Sequence, residues 1–284
     1  MTDGHPKLTG LYRFTSLARP VDPAYLTNKA LLILLPILAT VSAGMASLMD
    51  SGSGPLSAAF SGALVAFVAW ALTRELAPDY NDVAFVALAF AWAANVALDM
   101  HQVVLAFVAL LLVRLVNRST GLPFRPFDTL SVFGLCLFAA VNTEQPLILL
   151  VASLAFALDA ILDKPLRVHY VASLGSLAAV IWLQQFNYDL IAADLTVRDW
   201  SLLGASALGL GFVILASPVP VSYCDTSPDR LDRMRVNGGL IVGWLLAIQT
   251  VITNGPSAWL ETPIWVCVIA VLLSGVRAAV VGQR

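Results

Sequence analysis

The chain has 284 residues, of which 59% are hydrophobic and 12% charged, and its formal net charge is −2. Soluble globular domains carry charge at roughly a quarter of their positions, so this composition excludes a soluble fold. No lysine and arginine run resembles a nucleic-acid-binding patch, and we expect no nucleic-acid partner. The three cysteines have no CxxC or Cys/His spacing of the kind that holds zinc.

Long apolar runs follow one another from Leu31 to the C-terminus, and runs of about 20 residues can cross roughly 30 Å of hydrocarbon. The runs lack the alternation of a barrel strand, and a backbone in lipid must satisfy its own hydrogen bonds, so each is predicted to be a helix. We therefore expect an all-α polytopic transmembrane helix bundle, with a cytoplasmic N-terminal tail at 1–29 and a single transmembrane domain at 30–284. The ten predicted spans are 30–49, 55–73, 83–98, 100–116, 129–141, 146–163, 168–184, 199–216, 237–253 and 262–280.

The orientation depends on the stretch 83–116, which forms either one helix or a hairpin that turns at 99–102. A hairpin places every lysine and arginine except Arg198 on one side of the membrane, whereas a single helix divides them between both sides. The positive-inside rule therefore favours the hairpin and predicts that both termini are cytoplasmic. The span 129–141 is short for a full crossing, so an alternative makes 129–163 a re-entrant pair and leaves eight spans.

Two segments outside the spans are expected at the membrane surface. The tail carries Leu8, Leu11, Tyr12 and Leu17 beside Arg13 and Arg19, and forms either a short interfacial helix or a flexible tail. Ser227 and Pro228 predict the start of a second interfacial helix, whose arginines at 230, 233 and 235 face lipid phosphates; alternatively, this segment is a basic flap over a phosphate-bearing substrate.

Polar residues concentrate in four connections on the predicted cytoplasmic side, at 74–82, 114–128, 159–167 and 217–237. Arg114 and Arg118 are four residues apart on one side of a helix end that Gly121 is predicted to close in a left-handed conformation. Two such guanidiniums can clamp a phosphate or a carboxylate. The residues expected to bind an anionic substrate are Arg114, Arg118, Asn117 and Arg74; alternatively, these arginines reach headgroups and fix the orientation.

Asp159 lies about one turn inside an apolar run and shares a helical face with Asp163. Such a pair persists if a divalent cation bridges it, if an arginine neutralises it, or if one acid stays protonated. Together with Asp79 and Asp82, the pair is predicted to supply oxygen ligands for Mg²⁺. The alternative is a buried ion pair between Asp159 and Arg114.

Two acids also have a structural interpretation. Asp82 and Asp128 each stand at the start of an apolar run, where they are predicted to cap the third and fifth helices. The acidic groups at 79–82 and 159–163 are similar in placement to the Asp-rich motifs of intramembrane prenyltransferases of the UbiA type. That family's first motif is Asn-Asp-x-x-Asp-x-x-x-Asp, whereas Asn81 and Asp82 are followed here by the apolar residues 83–86, so no role is carried over. In span number and size the chain also resembles the drug/metabolite transporter superfamily.

The polar residues inside the spans, such as Asn95, Gln184 and Gln249, lie towards the outer ends, and the middles of the spans are apolar. This distribution favours binding or chemistry of an anionic or phosphorylated lipid at the cytoplasmic face. The alternatives are a small-solute transporter of the ten-span type and a structural membrane subunit. We expect the protein to be integral to the lipid bilayer, in the plasma (inner) membrane of a prokaryote.

Overall fold

The computed structural model describes residues 10–48, 54–98, 103–186 and 194–281, and these residues form no strand. The model is 76% helical, and these described ranges contain ten helices of 15 residues or more. They follow the order of the ten apolar runs. Their bounds are α1 Leu26–Leu48, α2 Pro55–Leu76, α3 Asn81–Leu98, α4 Val103–Asn117, α5 Pro126–Asn142, α6 Leu147–Ile161, α7 Val168–Gln184, α8 Val197–Ala216, α9 Arg233–Asn254 and α11 Pro263–Val281, with a four-residue α10 at Ala258–Glu261.

Five of the described helices, α1, α2, α3, α8 and α9, are long and apolar enough to cross a membrane. This is consistent with an integral membrane protein. Four further apolar helices, α4 to α7, are shorter, as is the stretch Pro263–Gly275 of α11, and a 15-residue helix such as α4 extends only about 22 Å at 1.5 Å per residue. The count of ten spans, the eight-span alternative and the cytoplasmic position of the termini therefore stay predictions.

Residues 83–116 form two separate helices, α3 and α4, as the hairpin alternative requires. The predicted turn at 99–102 lies outside the described residues. Within the described ranges, α3 and α4 do not pack directly against each other, and α2 and α11 each pack against both. The two helices are therefore consecutive in the chain without being packed neighbours.

Helix α4 lies at the centre of the bundle, where it contacts α2, α5, α6, α9 and α11. Most of its side chains are buried. Helix α9 approaches α4 and α2 closely at Gly243, where an added Cβ would meet Leu76 and Val113. Small residues permit such close approach of helix backbones. This packing fixes where the polar ends of α2, α4 and α9 lie.

All four polar connections meet at one end of the bundle, which we call the arginine-rich end. Ser222 N donates to Asp79 Oδ1 at 2.9 Å, and this bond joins connection 217–237 to connection 74–82. Arg118 likewise joins connection 114–128 to Asp159. At the opposite end, Gln249 donates to Gln145 at 3.0 Å. These connections lie at the same end because successive helices run in opposite directions.

Residues 12–25 form a strap across the arginine-rich end, and its first two residues belong to a 3-10 turn at Gly10–Arg13. The backbone N–H and the hydroxyl of Ser16 donate to Asp128 at 2.8 and 2.7 Å, and Thr120 donates to the Ser16 carbonyl at 2.9 Å. Ser16 and Leu17 are buried. Polar groups from distant connections hold the strap, whereas residues 1–9 of the predicted tail, with Leu8, lie outside the described residues.

The predicted helix starts at Asp128 and Asp82 need correction. Asp128 is not the N-cap of α5 but its third residue, and it accepts a 3.4 Å hydrogen bond from the N–H of the N-cap residue, Arg125. Helix α3 begins at Asn81, so Asp82 lies in its first turn. Both acids still lie at helix N-termini, where a negative charge is favourable.

The predicted interfacial helix after Ser227 is not formed. Residues 218–232 are a loop in which Tyr223 and Arg230 make an antiparallel bridge. Helix α9 begins only at Arg233, and the Asp232 carboxylate accepts the N–H of Arg235 at 2.9 Å as its N-cap. Arg235 consequently points into the protein, where it is buried, rather than towards lipid phosphates.

Candidate functional site

The C-terminal turn of α4 lies between two groups of charged residues, and Arg114 and Arg118 belong to different groups. Helix α4 ends at Asn117, and Arg118 takes the left-handed conformation, with φ 48°. Gly121 also has a positive φ, 77°, but lies beyond the helix end that it was predicted to close. Because Arg118 leaves the helix, the two guanidiniums diverge and do not form one clamp.

The first group, which we call the Asp159 cluster, comprises Arg118, Asp159, His169 and Arg235. Arg118 Nε and Nη2 each lie 2.7 Å from one oxygen of Asp159, and Arg235 Nη1 lies 2.8 Å from Oδ1. His169 Nδ1 lies 2.7 Å from Oδ2. The side chains of Asp159 and His169 have no exposed surface. The ion-pair alternative therefore had the wrong partner, since Arg118 and Arg235 take the place of Arg114.

Further donors of this cluster bind backbone carbonyls and a hydroxyl. Arg118 Nη1 donates to the Lys164 carbonyl at 2.7 Å, and Arg235 donates to the Val116 and Asp163 carbonyls. Thr129 lies 2.9 Å from His169 Nε2. A buried carboxylate saturated in this way joins α4, α6, α7 and α9. This arrangement is typical of a structural ion-pair network.

The four acids predicted to bind Mg²⁺ do not gather around one point. Asp159 is saturated by cations, and Asp79 accepts hydrogen bonds from Val221 N and from Ser222 N and Oγ in the loop before α9. The Asp163 side chain is exposed, and Asp82 lies in the first turn of α3. Nowhere in the described ranges do three His, Cys, Asp or Glu side chains form a group that could hold a metal ion.

A cavity of about 800 Å³ opens at the arginine-rich end, beside the second charged group. It is walled by the strap, by the start of α1, by α2 and by the loop before α9. Small-molecule sites commonly have volumes of about 300–1,000 Å³, so the cavity is of ligand size. Its floor on α2 includes Phe67, Trp70, Ala71 and Arg74.

The second group, which we call the cavity cluster, comprises Arg19, Arg74, Glu75, Arg114 and Asp225, all of which line the cavity. Glu75 Oε1 accepts from Arg19 Nη1 at 3.0 Å and from Arg114 Nε at 2.9 Å. Arg19 also binds Asp225 through two atoms, at 2.7 and 2.6 Å. Burial acts to lower the pKa of Arg19, but Glu75 and Asp225 outweigh it and raise that pKa above its ordinary value.

Arg74 differs from the other guanidiniums of the cavity, because no described carboxylate lies within 4.0 Å of it. It lies over the ring of Trp70, 4.9 Å from the centroid, and its Nη1 donates to Asn28 Oδ1 at 3.1 Å. Its Nε has no hydrogen-bond partner. A half-buried guanidinium with only neutral partners attracts an anion.

The structure places the four predicted substrate-binding residues in three settings. Arg74 and Arg114 line the cavity, Arg118 belongs to the Asp159 cluster, and Asn117 donates from its side chain to the Glu75 carbonyl at 2.7 Å. Sequence reasoning missed Arg19, Glu75, Asp225, His169 and Arg235 as partners in these two groups. A charged residue two positions from an apolar run was the available signal for Glu75 and Arg235.

Comparison of the chain with protein-family models, curated proteins and solved structures finds no match.

Proposed function

We propose that the protein binds an anionic or phosphate-bearing lipid-type molecule in the cavity at the arginine-rich end. The single observation that carries this proposal is Arg74, a guanidinium that lines the cavity, lies on Trp70 and has no carboxylate partner among the described residues. An anionic head beside Arg74 would neutralise its charge and accept hydrogen bonds from the guanidinium. Arg114 and Arg19 lie in the same lining, where they are paired with Glu75 and Asp225.

The apolar part of the cavity supports a lipid-type ligand over a small ion. Phe67 precedes Arg74 by seven residues on α2, so it lies about 10 Å deeper at 1.5 Å per residue. Trp70 and Ala71 line the cavity between them. A molecule with a charged head and an apolar tail would match this gradient, because each part would meet groups of its own polarity.

The test uses the full chain purified in detergent, with phosphatidylglycerol as the anionic probe and chain-matched phosphatidylcholine as the neutral one. We expect phosphatidylglycerol to bind more tightly to the wild type. Arg74→Gln should weaken its binding about tenfold to a hundredfold, because a hydrogen bond to a charged group contributes about 1.5–3 kcal/mol. Arg167→Gln is the matched control, since Arg167 is exposed at the same end of the bundle. Wild-type affinity in Arg74→Gln would refute the proposal.

A second candidate function, small-solute transport, is favoured by the depth of the cavity. Phe67 lies near the middle of α2 (Pro55–Leu76), and transporter sites commonly lie near the middle of the bilayer. A cysteine introduced by Phe67→Cys, in a Cys224→Ser background, distinguishes the two. A transporter exposes this position to impermeant maleimides from both sides of the membrane, whereas a lipid site of the proposed kind exposes it from one side at most.

A further inference from the structure

The formal charges of the cavity lining cancel, because its three arginines are matched in number by the carboxylates of Asp22, Glu75 and Asp225. Arg19 and Arg114 are paired with Glu75 and Asp225, whereas Arg74 is not paired. A third carboxylate of the lining, Asp22, is exposed and accepts the N–H of Ala24 at 2.9 Å, so water screens it.

Tyr12 adds no charge to this balance at neutral pH. Its hydroxyl lines the cavity and donates to Asp225 at 3.3 Å. Burial, together with the charge of Asp225, raises the pKa of Tyr12 to about 12. The phenol therefore stays a neutral donor, and the uncompensated charge is that of Arg74.

The paired carboxylates also limit how much negative charge a ligand can bring. Glu75 is buried, with its side chain 1% exposed, and it lies between two arginines that a ligand would have to share. A head with one negative charge would neutralise Arg74. A second negative charge would be buried near Glu75 and Asp225 without a cation of its own, which is unfavourable at low dielectric constant.

We infer that the cavity selects an amphiphile whose head carries a single negative charge, as a phosphodiester or a carboxylate does, over one with a doubly charged phosphomonoester. This inference rests on the proposed function and names the ligand class more closely. The charge of Arg74 attracts one negative charge. Asp225 neutralises Arg19 at the cavity wall, so Arg19 does not attract a second negative charge.

The experiment compares three lipids with the same acyl chains on the full-length protein in detergent at about pH 8. Phosphatidylglycerol carries one negative charge, phosphatidylcholine carries none in total, and phosphatidic acid is mainly doubly charged, because a phosphomonoester loses its second proton near pH 6. We expect the wild type to bind phosphatidylglycerol at least about tenfold more tightly than phosphatidic acid. Dimethyl phosphate, which has the same charge without acyl chains, should bind at least about a hundredfold more weakly.

Two variants test the charge balance. Asp225→Asn leaves a second positive charge in the cavity and should reverse the preference, so that phosphatidic acid binds more tightly than phosphatidylglycerol. Arg74→Gln should reduce the binding of both anionic lipids to that of phosphatidylcholine.

The outcomes separate this inference from the proposal on which it rests. If the wild type binds phosphatidic acid as tightly as phosphatidylglycerol or more tightly, the single-charge inference is wrong, but the anionic lipid site is not affected. The same conclusion follows if Asp225→Asn keeps the wild-type preference for phosphatidylglycerol. If neither anionic lipid binds more tightly than phosphatidylcholine, the proposed anionic lipid site is wrong. If dimethyl phosphate binds as tightly as phosphatidylglycerol, the ligand is a free monoanion and not an amphiphile.

Discussion

Arg118 and Asp159 form a two-point ion pair, in which the guanidinium donates from Nε and Nη2 to the two carboxylate oxygens, each at 2.7 Å. Arg118 makes this pair from the left-handed backbone conformation, which costs a residue other than glycine about 1–2 kcal/mol. The hydrogen bonds of its side chain to Asp159 and to the Lys164 carbonyl offset that cost. The pair thereby anchors the turn after α4 to the end of α6.

Removing the charge of Asp159 should destabilise the fold strongly. Asp159→Asn would leave Arg118 and Arg235 without their shared carboxylate, and breaking such a buried pair typically costs about 3–5 kcal/mol. The measurement is the apparent Tm in detergent, with Asp163→Asn as the control, because the Asp163 side chain is exposed. The control should change stability by no more than about 0.5 kcal/mol. Equal Tm values for the two variants would show that the Asp159 cluster does not stabilise the protein.

A methyl group at Gly239 should disturb the contact between α9 and α4. An added Cβ would overlap Asn117 Oδ1, and Asn117 cannot move freely because its amide donates to the Glu75 carbonyl at 2.7 Å. Gly239→Ala should therefore lower the free energy of unfolding by about 1–3 kcal/mol. Gly134→Ala is the matched control, since nothing lies within 4 Å of its added Cβ, and helix propensity favours alanine by up to about 1 kcal/mol. Similar denaturation midpoints for both variants would contradict this packing.

The strap should open more readily when its side-chain bonds to Asp128 are removed. Thr15 Oγ1 donates to Asp128 Oδ1 at 2.6 Å, and Ser16 Oγ donates to Oδ2 at 2.7 Å. The double variant Thr15→Ala, Ser16→Ala keeps the Asp128 carboxylate at the start of α5 but loses both bonds. We expect amide exchange in residues 12–25 to become at least about tenfold faster, while exchange in α4 stays unchanged. Exchange as slow as in the wild type would mean that other contacts hold the strap.

Cys224 reports the orientation of the protein. It lines the cavity and is partly exposed, whereas Cys136 and Cys267 are buried. If the arginine-rich end is cytoplasmic, an impermeant maleimide should label inside-out vesicles and not intact cells, and Cys224→Ser should abolish the labelling. Burial raises the pKa of the Cys224 thiol, so the thiolate fraction is small at neutral pH and labelling should accelerate with rising pH. Labelling of intact cells would reverse the predicted orientation.

The sequence by itself determined the helices and the end of the bundle at which the polar residues lie. The ten apolar runs match ten helices, and α7 (Val168–Gln184) has the predicted bounds. The physical reason is local, because an apolar segment must satisfy its backbone hydrogen bonds internally wherever it packs. The same alternation of segments and connections placed Arg74, Arg114 and Asp159 at one end.

Only the tertiary structure decided which charges pair. Arg114 binds Glu75, and Arg118 binds Asp159, although both arginines are four residues apart at the end of α4. That choice depends on the order of the helices around α4, which is fixed by side-chain fit such as the approach of α9 at Gly243. The strap depends on hydrogen bonds to residues more than 100 positions away, such as that of Ser16 to Asp128. Such contacts leave no periodic signal in the sequence, because they join distant segments through single side chains.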